Sequence, residues 1–447
     1  MSNTREKIDL QPTITTISTS SEKPPSQTSS HTLTNNQPQP KHILRLFSAC
    51  FCFFVAGVND ASLGPLIPYV MEDYSVGTDD VGILFIPGLV GWIVAALLGS
   101  HMFAFMGRGG MMTLGAGFQV VGAIVRLVSP NYPLFAFTFF VNGFGIAIQD
   151  SQSNIYVASL GSSSHKFLGL IHAMWGLGCM IGPLVSTPIA AKTNWQYFYA
   201  VMLAFSVVNF VGVTIGFWEG LVCLKGRKEV DEEGSSTESE VEEKKQQSPT
   251  RMLIRAFQSP VVWVSSFFFF FYVGVETTLG NWIVEFLIHQ RGGELHSMGY
   301  MPMALWGGLT AGRLFLADVT KRYGDRRMVI GYCVVTVACV LVLWFVKSIP
   351  VAGVMLGVIG FVSGPLFATG VDVSTSLLPE ELHTAGIGLI FLIGSSGGSL
   401  LPWLTGFLAN SKGIHVVMPI VTALFGATLV SWLLFPRKPA EVTTVHA

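Results

Sequence analysis

The sequence predicts an all-α membrane protein of twelve transmembrane helices in two parallel six-helix halves. Three observations predict this fold: an apolar composition, twelve apolar stretches of membrane length, and an internal repeat. Hydrophobic residues make up 50% of the 447 residues and charged residues only 12%, about half the charged fraction of a soluble domain. The mean hydropathy of +0.55 also fits a helical membrane protein.

Apolar stretches of about 20 residues are long enough to cross a bilayer as helices. They lie near 44–70, 81–104, 111–128, 133–157, 167–190, 197–222, 260–288, 297–318, 328–346, 351–377, 384–408 and 415–435. A hydrophilic, highly charged segment separates the sixth from the seventh. We therefore predict a disordered tail (1–41), a first half (42–222), a linker (223–258), a second half (259–436) and a C-terminal tail (437–447).

The two halves share an internal repeat. The run GVNDASLG at 57–64 reappears as GVETTLG at 274–280. In this alignment Glu276 corresponds to Asp60, at an offset of 216 residues. Asp150 stands opposite Asp372 at an offset of 222, and the tripeptide GLI at 169 recurs at 388. A nearly constant offset indicates two parallel halves related by an axis along the membrane normal.

Basic residues are concentrated on one side of the predicted topology. That side holds Lys41, Arg45, Arg108, Lys166, Lys321, Arg322, Arg326, Arg327, Arg437 and Lys438, whereas the opposite loops hold Arg126, Lys192, Arg291, Lys347 and Lys412. The positive-inside rule therefore predicts cytoplasmic termini and a cytoplasmic linker. We expect the plasma membrane as location. No basic patch with interleaved aromatic residues suggests a nucleic-acid partner.

Four carboxylates interrupt the apolar stretches: Asp60, Asp150, Glu276 and Asp372. A charge at bilayer depth is costly and is usually kept for a function. Asp60 and Asp150 lie near mid-depth, where a carboxyl group can link proton binding to solute binding, and we predict them as the proton-coupling pair. Glu276 is predicted to line the solute cavity and Asp372 to act in gating. Polar locks between helices are the structural alternative.

Polar and aromatic side chains near these carboxylates are the candidates for solute binding. Amides can hydrogen-bond a solute, and aromatic rings can stack on a ring or cover an apolar face. Each could instead serve helix packing. Besides Glu276, the predicted solute-binding residues are Asn59, Gln149, Asn154, His172, Trp175, Asn281, Trp282 and Trp403.

Arg313 is interpreted as the only arginine within an apolar stretch. Asp318 follows it by five residues near the cytoplasmic end of the eighth stretch. We predict that the two form an ion pair that locks the inward gate, since charges near helix ends can reach the interface. Arg326 and Arg327, just beyond the same stretch, are assigned to this gate as well.

Residues 307–327 (GGLTAGR, then Asp318, then KRYGDRR) resemble the cytoplasmic gating signature of the major facilitator superfamily, and the likeness extends over about 42–437. The first-half copy, GRGG at 107–110, lacks the acidic residue of that signature. Asn59-Asp60 with Pro65 and Pro68, Asp150 with NIYV at 154–157, and SSHK at 163–166 resemble the fucose/glucose permease branch and its fungal members.

The resemblance implies a secondary transporter that moves a small organic solute by alternating access, coupled to protons. In fucose permeases, acidic residues at the places of Asp60 and Asp150 are implicated in proton coupling and sugar contact. The sequence has no phosphate-binding glycine loop of the kind found in ATP-driven pumps, so ATP-driven transport is not predicted. The sequence has no converging metal-ligand cluster and no activated nucleophile, so an enzyme is not predicted. Neither a cofactor nor a metal site is predicted. We expect a monomer in the lipid bilayer.

Two observations leave the solute and its direction open. His172 and Trp175 stand where the sugar pattern has Gln and Asn, which favours a solute other than a simple hexose. Gly178 and Gly182, followed by Pro183, partly resemble an antiporter motif, so export of an apolar metabolite or drug by proton antiport is an alternative. A second alternative is a transport-inactive nutrient sensor of the same fold.

Overall fold

The computed structural model describes residues 40–160, 164–218 and 249–436. The predicted tails, residues 1–39 and 437–447, and linker residues 223–248 lie outside this range. The helices are α1 (Pro40–Tyr74), α2 (Thr78–Ile83), α3 (Phe85–Leu127), α4 (Tyr132–Ala158), α5 (Ser164–Lys192), α6 (Phe198–Gly216), α7 (Pro249–Gln258), α8 (Pro260–Arg291), α9 (Leu295–Met298), α10 (Met301–Tyr323), α11 (Asp325–Phe345), α12 (Ile349–Ser363), α13 (Leu366–Leu377), α14 (His383–Lys412) and α15 (Val417–Leu433).

Ten helical segments of the described chain are long and apolar enough to cross a membrane. One of them, Thr78–Leu127, has 50 residues. As one straight helix it would be about 75 Å long, more than twice a hydrocarbon core of about 30 Å. It turns back at Gly107, whose φ of 63° and ψ of −176° are not helical. Counting its two arms, and adding the 23-residue α10, gives the predicted twelve-helix fold.

The packing of α4 shows that both arms of α3 run alongside this helix. Gly143 and Gly145, two residues apart on α4, approach Gly88 and Gly115 so closely that an added Cβ would lie 2.7 Å and 2.5 Å from the respective carbonyl oxygens. Gly88 and Gly115 are 27 residues apart in the sequence. A straight helix could not bring two residues so far apart to within one turn of α4, so the chain reverses at Gly107.

The internal repeat is visible in how the helices cross. In the first half, α1 and α5 meet at Gly57 and Gly178; in the second, α8 and α14 meet at Gly274 and Gly397. A Cβ on Gly57 would strike the carbonyl oxygen of Trp175. The offsets between the halves are 217 residues for the first glycine and 219 for the second. Small residues allow this close approach of backbones inside a membrane.

A second crossing repeats in the same way. Gly91 packs against the backbone of α4 near Gly143, and Gly308 of α10 packs against α12 near Gly360. Both glycines of this crossing are offset by 217 residues between the halves. The two halves therefore share their backbone packing as well as their order of helices, which confirms the predicted duplication.

The halves meet at one end of the bundle. We call this end, where α1 and α8 finish, the far face, and the end where they begin the tail face. Gly64 of α1 packs on Gly280 of α8, where an added Cβ would lie 2.6 Å from the carbonyl oxygen. The Thr78 hydroxyl donates to the Gly406 carbonyl at 3.0 Å. These contacts close the far face.

The tail face is open. Asp60 lies about midway along α1, on the side that meets the second half, and yet its side chain is exposed. Solvent cannot reach it from the far face, because Gly64 lies one turn further on and is sealed against Gly280. A cleft between the halves therefore leads from the tail face to Asp60 and ends there.

Candidate functional site

Asp60 forms the end of the cleft and is held by two donors. The indole Nε1 of Trp175 donates to its Oδ2 at 3.1 Å, and the amide Nδ2 of Asn59 donates to its Oδ1 at 3.2 Å. The close crossing of α1 and α5 at Gly57 places Trp175 within reach. Because the carboxyl group is also exposed, it can bind a proton or a solute from the cleft.

Trp175 connects Asp60 to the second half. Its ring meets Trp306 of α10 edge to face, with ring centroids 5.7 Å apart. The guanidinium of Arg313, also on α10, lies 5.3 Å from the centre of the Trp175 ring and 5.9 Å from that of Phe367. One indole thus touches a carboxyl group of one half and a cation of the other, an arrangement suited to cation–π attraction.

Aromatic rings line the cleft on the tail side of Trp175. His172, one helical turn earlier on α5, packs edge to face against Phe53 of α1 at 5.1 Å. It also lies 6.3 Å from Phe367 of α13. Rings from both halves therefore form a wall next to Asp60, and such a wall can cover the flat face of a small solute.

Asp150 lies on the same side of the first half. It is close enough to Asp60 for the two carboxyl groups to interact electrostatically. Together with Cys52, Phe53 and Ala56 it lines a small cavity inside the first half. The structure therefore brings the two carboxylates predicted from the sequence to one place, on α1 and α4.

The second half contributes a carboxyl group of its own. Glu276 on α8 is only 5% exposed and lies near Arg313 and Tyr272, within electrostatic reach of both. Its Oε1 has no hydrogen-bond partner. The Tyr272 hydroxyl donates to the Ser363 carbonyl at 3.0 Å, which fixes α8 against α12. Glu276 therefore faces the centre of the molecule from the half opposite Asp60.

Gln149 and Asn154 are engaged inside the first half, although both were predicted to bind solute. Gln149 is 2% exposed and accepts hydrogen bonds from Gln119 at 2.7 Å and from Asn209 at 2.9 Å. Its own amide donates to the Met112 carbonyl at 3.0 Å. Asn154 donates to the carbonyl of Asp150, one turn earlier on α4. These contacts hold α3, α4 and α6 together.

Three further predicted solute-binding residues lie towards the closed far face. Trp282 is 0% exposed and donates to the Pro402 carbonyl at 3.0 Å, which ties α8 to α14. Asn281 is buried and donates to the Thr277 carbonyl at 2.8 Å. The backbone of Trp403 packs on Gly82. In this conformation their contacts stabilise the closure rather than face the open cleft.

The predicted ion pair between Arg313 and Asp318 does not form among the described residues. Five residues along a helix correspond to a rotation of about 140°, so the two side chains leave α10 in different directions. Arg313 instead lies over the rings of Trp175 and Phe367, while Asp318 is exposed. Arg313 therefore belongs to the centre of the molecule in this state.

The other residues assigned to gating lie on the tail face. Arg326 donates to the carbonyl oxygens of Phe435 at 3.1 Å and Leu433 at 3.0 Å, at the C-terminal end of α15, where a cation is favourable. Arg327 and Asp372 are exposed. In this conformation Arg326 anchors α11 to α15 within one half.

Arg126 is the main residue that the sequence reasoning misplaced. It was assigned to a loop, and Arg313 was taken as the only arginine in an apolar stretch; both statements are wrong. Arg126 lies in the last turn of α3 and is 4% exposed. Its Nη1 donates to the Asn59 Oδ1 at 3.3 Å. The apolar residues on both sides of it were the available signal.

Aromatic residues of the centre were also missed. Phe53, Tyr272, Trp306 and Phe367 all contact predicted site residues, but in the sequence they are ordinary apolar members of membrane helices. Nothing in their spacing sets them apart from the many other aromatic residues of the chain. Only the crossing of α1, α5, α8, α10 and α13 brings them together.

Two similar helical halves around a cleft that is open at one end, with ionisable groups at its base, define a membrane transporter. The chain belongs to the Major Facilitator Superfamily, because the sequence model of that family matches residues 49–402 and 319–446. It is therefore a multi-pass membrane transporter of small solutes.

Three relatives align with most of the chain. The yeast Saccharomyces cerevisiae protein "Bypass of stop codon protein 6" is 26% identical over 421 residues, which cover 90% of this chain and 84% of the relative. The "Glucose/mannose transporter GlcP" of Bacillus subtilis is 20% identical, over 85% and 91%. The mouse "Sodium-dependent glucose transporter 1A" is 22% identical, over 86% and 93%. The predicted likeness to sugar permeases with fungal members is confirmed.

Solved structures show the same fold. A point mutant of the nucleoside transporter NupG matches with a TM-score of 0.67 at 12% identity, over 88% of this chain and 98% of that one. A bacterial homologue of the human lysosomal transporter Spinster, in an inward-facing and unoccupied conformation, matches with a TM-score of 0.66 at 11% identity, over 89% and 95%. At these identities the likeness concerns the fold alone.

Proposed function

We propose that this protein is a secondary active transporter that carries a small sugar-like solute by alternating access and couples this movement to protons at Asp60 and Asp150. One observation carries the proposal. Asp60 is accessible from the cleft and is hydrogen-bonded to Trp175, which itself contacts Trp306 and Arg313 of the other half. A change at one carboxyl group is thereby connected to the contact between the halves.

The hydrogen bonds of Asp60 suggest how the coupling works. Ionised, the carboxylate only accepts, and it accepts from both Asn59 and Trp175. Protonated, it carries a donor of its own, so one of its oxygens no longer fits an incoming N–H. If the bond to Trp175 is the one released, the indole can move relative to Trp306. Protonation then favours a different arrangement of the halves.

The chemistry of the cleft favours a ring-shaped solute that carries hydroxyl groups. Hydroxyls can donate to the carboxyl group of Asp60 at the end of the cleft and to that of Asp150 in the adjoining cavity of the first half. The apolar face of a sugar ring can pack on Trp175 and His172. The names of the bacterial and mouse relatives, a glucose/mannose transporter and a glucose transporter, support this class.

The state described here corresponds to one half of a transport cycle. The far face is closed by Gly64 on Gly280, and the tail face is open. With the cytoplasmic orientation predicted from the basic residues, this is an inward-open transporter. Opening the far face and closing the tail face would expose Asp60 to the other side, which is what alternating access requires.

Sodium coupling at the same carboxylates is a second candidate, because the mouse relative is named as sodium-dependent. The geometry favours protons. Both oxygens of Asp60 accept N–H donors, from Asn59 at 3.2 Å and Trp175 at 3.1 Å, and a metal cation would have to compete with these donors for the same lone pairs. The two ions can be separated by choosing which gradient is imposed.

Purified protein in proteoliposomes, with radiolabelled D-glucose and D-mannose as probes, tests the proposal. We expect an imposed proton gradient to drive accumulation that a protonophore abolishes. Asp60→Asn should keep solute exchange but lose accumulation. Glu72→Gln, which removes an exposed carboxyl group at the end of the same helix, is the matched control and should behave as the wild type.

Each other outcome has a defined meaning. Driven accumulation that survives in Asp60→Asn would refute the coupling role of this residue. Accumulation driven by sodium and indifferent to protons would replace the coupling ion. If a screen of further sugars, nucleosides and apolar metabolites also showed no flux, the transport proposal would fail and a sensor of the same fold would be favoured.

A further inference from the structure

We infer that Arg126 is a positioning residue for Asp60 and acts through the side chain of Asn59. The inference deepens the proposed function and rests on it, because it concerns the carboxyl group assigned to proton coupling. Arg126 Nη1 donates to Asn59 Oδ1 at 3.3 Å, and Asn59 Nδ2 donates to Asp60 Oδ1 at 3.2 Å. A continuous chain of hydrogen bonds thus runs from α3 to the end of the cleft.

Arg126 is held in place by neutral groups. Its Nε donates to the Thr138 hydroxyl at 2.7 Å, and its guanidinium lies over the rings of Phe139 at 4.1 Å and Tyr199 at 5.3 Å. No Asp or Glu of the described residues lies within ion-pair distance of it. A buried charge normally needs a partner of opposite sign, and Asp60 is reached through a single bridging amide.

The direction of this chain follows from the chemistry of arginine. A guanidinium can only donate hydrogen bonds, so the Asn59 atom that faces Arg126 must be the amide oxygen. The amide nitrogen then faces Asp60 and donates to it. Without Arg126, the amide of Asn59 could turn over and present its oxygen to the carboxylate, which is repulsive when Asp60 is ionised. Arg126 therefore selects the orientation that matches an ionised Asp60.

Other ionisable groups surround Asp60, and they define what Arg126 adds. Asp150 on α4 and Cys179 on α5 interact electrostatically with Asp60. Beyond Cys179, the nearby ionisable groups are Tyr272 and Glu276 on α8 and Arg313 on α10, with His172 next to Arg313. Arg313 is the cation of the second half and moves with it. Arg126 lies in the same half as Asp60, so its effect on the carboxyl group persists when the halves separate.

The test measures protonation of Asp60 directly and needs no solute. The carboxyl stretch of Asp60 is identified by infrared difference spectroscopy from its absence in Asp60→Asn, and it is titrated in the full-length reconstituted protein. In Arg126→Gln we expect the midpoint of this titration to lie about one unit higher in pH than in the wild type, a tenfold change in the protonation equilibrium. Arg126→Lys should restore part of the difference.

Two further variants separate positioning from folding. Asn59→Ala should shift the midpoint as Arg126→Gln does, and the double variant should shift it no further, because both changes break one chain. Arg291→Gln removes an arginine that donates to the carbonyl oxygens of Leu343 and Trp344, far from Asp60, and should leave the midpoint unchanged.

The outcomes distinguish this inference from the proposed function. If Asp60 shows no titration in the wild type between pH 5 and 9, proton coupling at Asp60 fails. If Asp60 titrates but the folded Arg126→Gln protein has the wild-type midpoint, the positioning role fails while proton coupling stands. Strictly additive shifts in the double variant would also overturn the route through Asn59.

Discussion

At the scale of single residues, Trp175 joins the chemistry of one half to the packing of the other. Its N–H donates a hydrogen bond to Asp60, while its ring packs against Trp306 and Arg313. These two roles can be separated, because phenylalanine keeps a ring of similar position but has no N–H. The neighbouring Trp306 supplies a comparison, since its buried Nε1 has no hydrogen-bond partner.

We predict that Trp175→Phe loses proton-driven accumulation of D-glucose but keeps glucose exchange, because Asp60 loses the donor that links it to the second half. Trp306→Phe removes an indole N–H that bonds to nothing and should retain driven accumulation. Uptake and counterflow in the same proteoliposomes measure both activities. Equal loss of accumulation in the two variants would show that ring size, rather than the hydrogen bond, matters here.

At the scale of helices, the closure of the far face depends on backbone contact between α1 and α8. Gly64 has no side chain, and this absence lets the two backbones touch at Gly280. A methyl group there would have to push the helices apart, because the atom it meets is a carbonyl oxygen and cannot rotate away. The far face should therefore respond to a change as small as one carbon.

We predict that Gly64→Ala shifts the protein towards a far-face-open state. Spin labels at the exposed far-face positions Glu72 and Lys347, one in each half, should report a longer distance by double electron–electron resonance. Gly331→Ala is the control, since a Cβ there meets nothing within 4 Å. An unchanged distance distribution in Gly64→Ala would mean that the closure tolerates the added carbon and does not depend on this crossing.

At the scale of the whole molecule, the cleft gives one side of the membrane access to Asp60. Ser151, beside Asp150, is exposed, whereas Asn281, at the contact between α1 and α8, is buried. The two positions should therefore differ in their reactivity towards a reagent that cannot cross the membrane.

In a background without the six native cysteines, we predict that Ser151→Cys reacts with a membrane-impermeant maleimide added from the tail face. Asn281→Cys should react from neither face, and should become reactive from the far face when combined with Gly64→Ala. Sealed vesicles of both orientations allow the comparison. Labelling of Ser151→Cys from the far face alone would reverse the sidedness assigned to the cleft.

The sequence shows how far along an apolar stretch a residue lies, but not the direction of its side chain around the helix. Asp60, Asp150 and Glu276 were predicted to lie near mid-depth, and the structure places Asp60 within electrostatic reach of Asp150, and Glu276 within that of Arg313. Gln149 and Trp282, also assigned to solute binding, are buried and hydrogen-bond within the bundle. A helix that is apolar on all sides gives no amphipathic signal to show which face meets the cleft.

Arg126 was misplaced for a related reason. A basic residue near the end of an apolar stretch is usually taken as the start of a loop, because most such charges lie in water. Here the guanidinium is covered by Phe139 and Tyr199, which lie on two other helices. Only the packing of α3 against α4 and α6 shows that this arginine is buried.

The repeated glycine crossings have a mechanical consequence. Where α1 meets α5, and α8 meets α14, backbone touches backbone, and such a contact has no rotamers through which it can yield. We therefore expect each half to move as a rigid body, with deformation confined to the surface between the two halves. Under the proposed mechanism, a change at Asp60 would therefore appear as displacement at the two membrane faces, with little deformation inside either half.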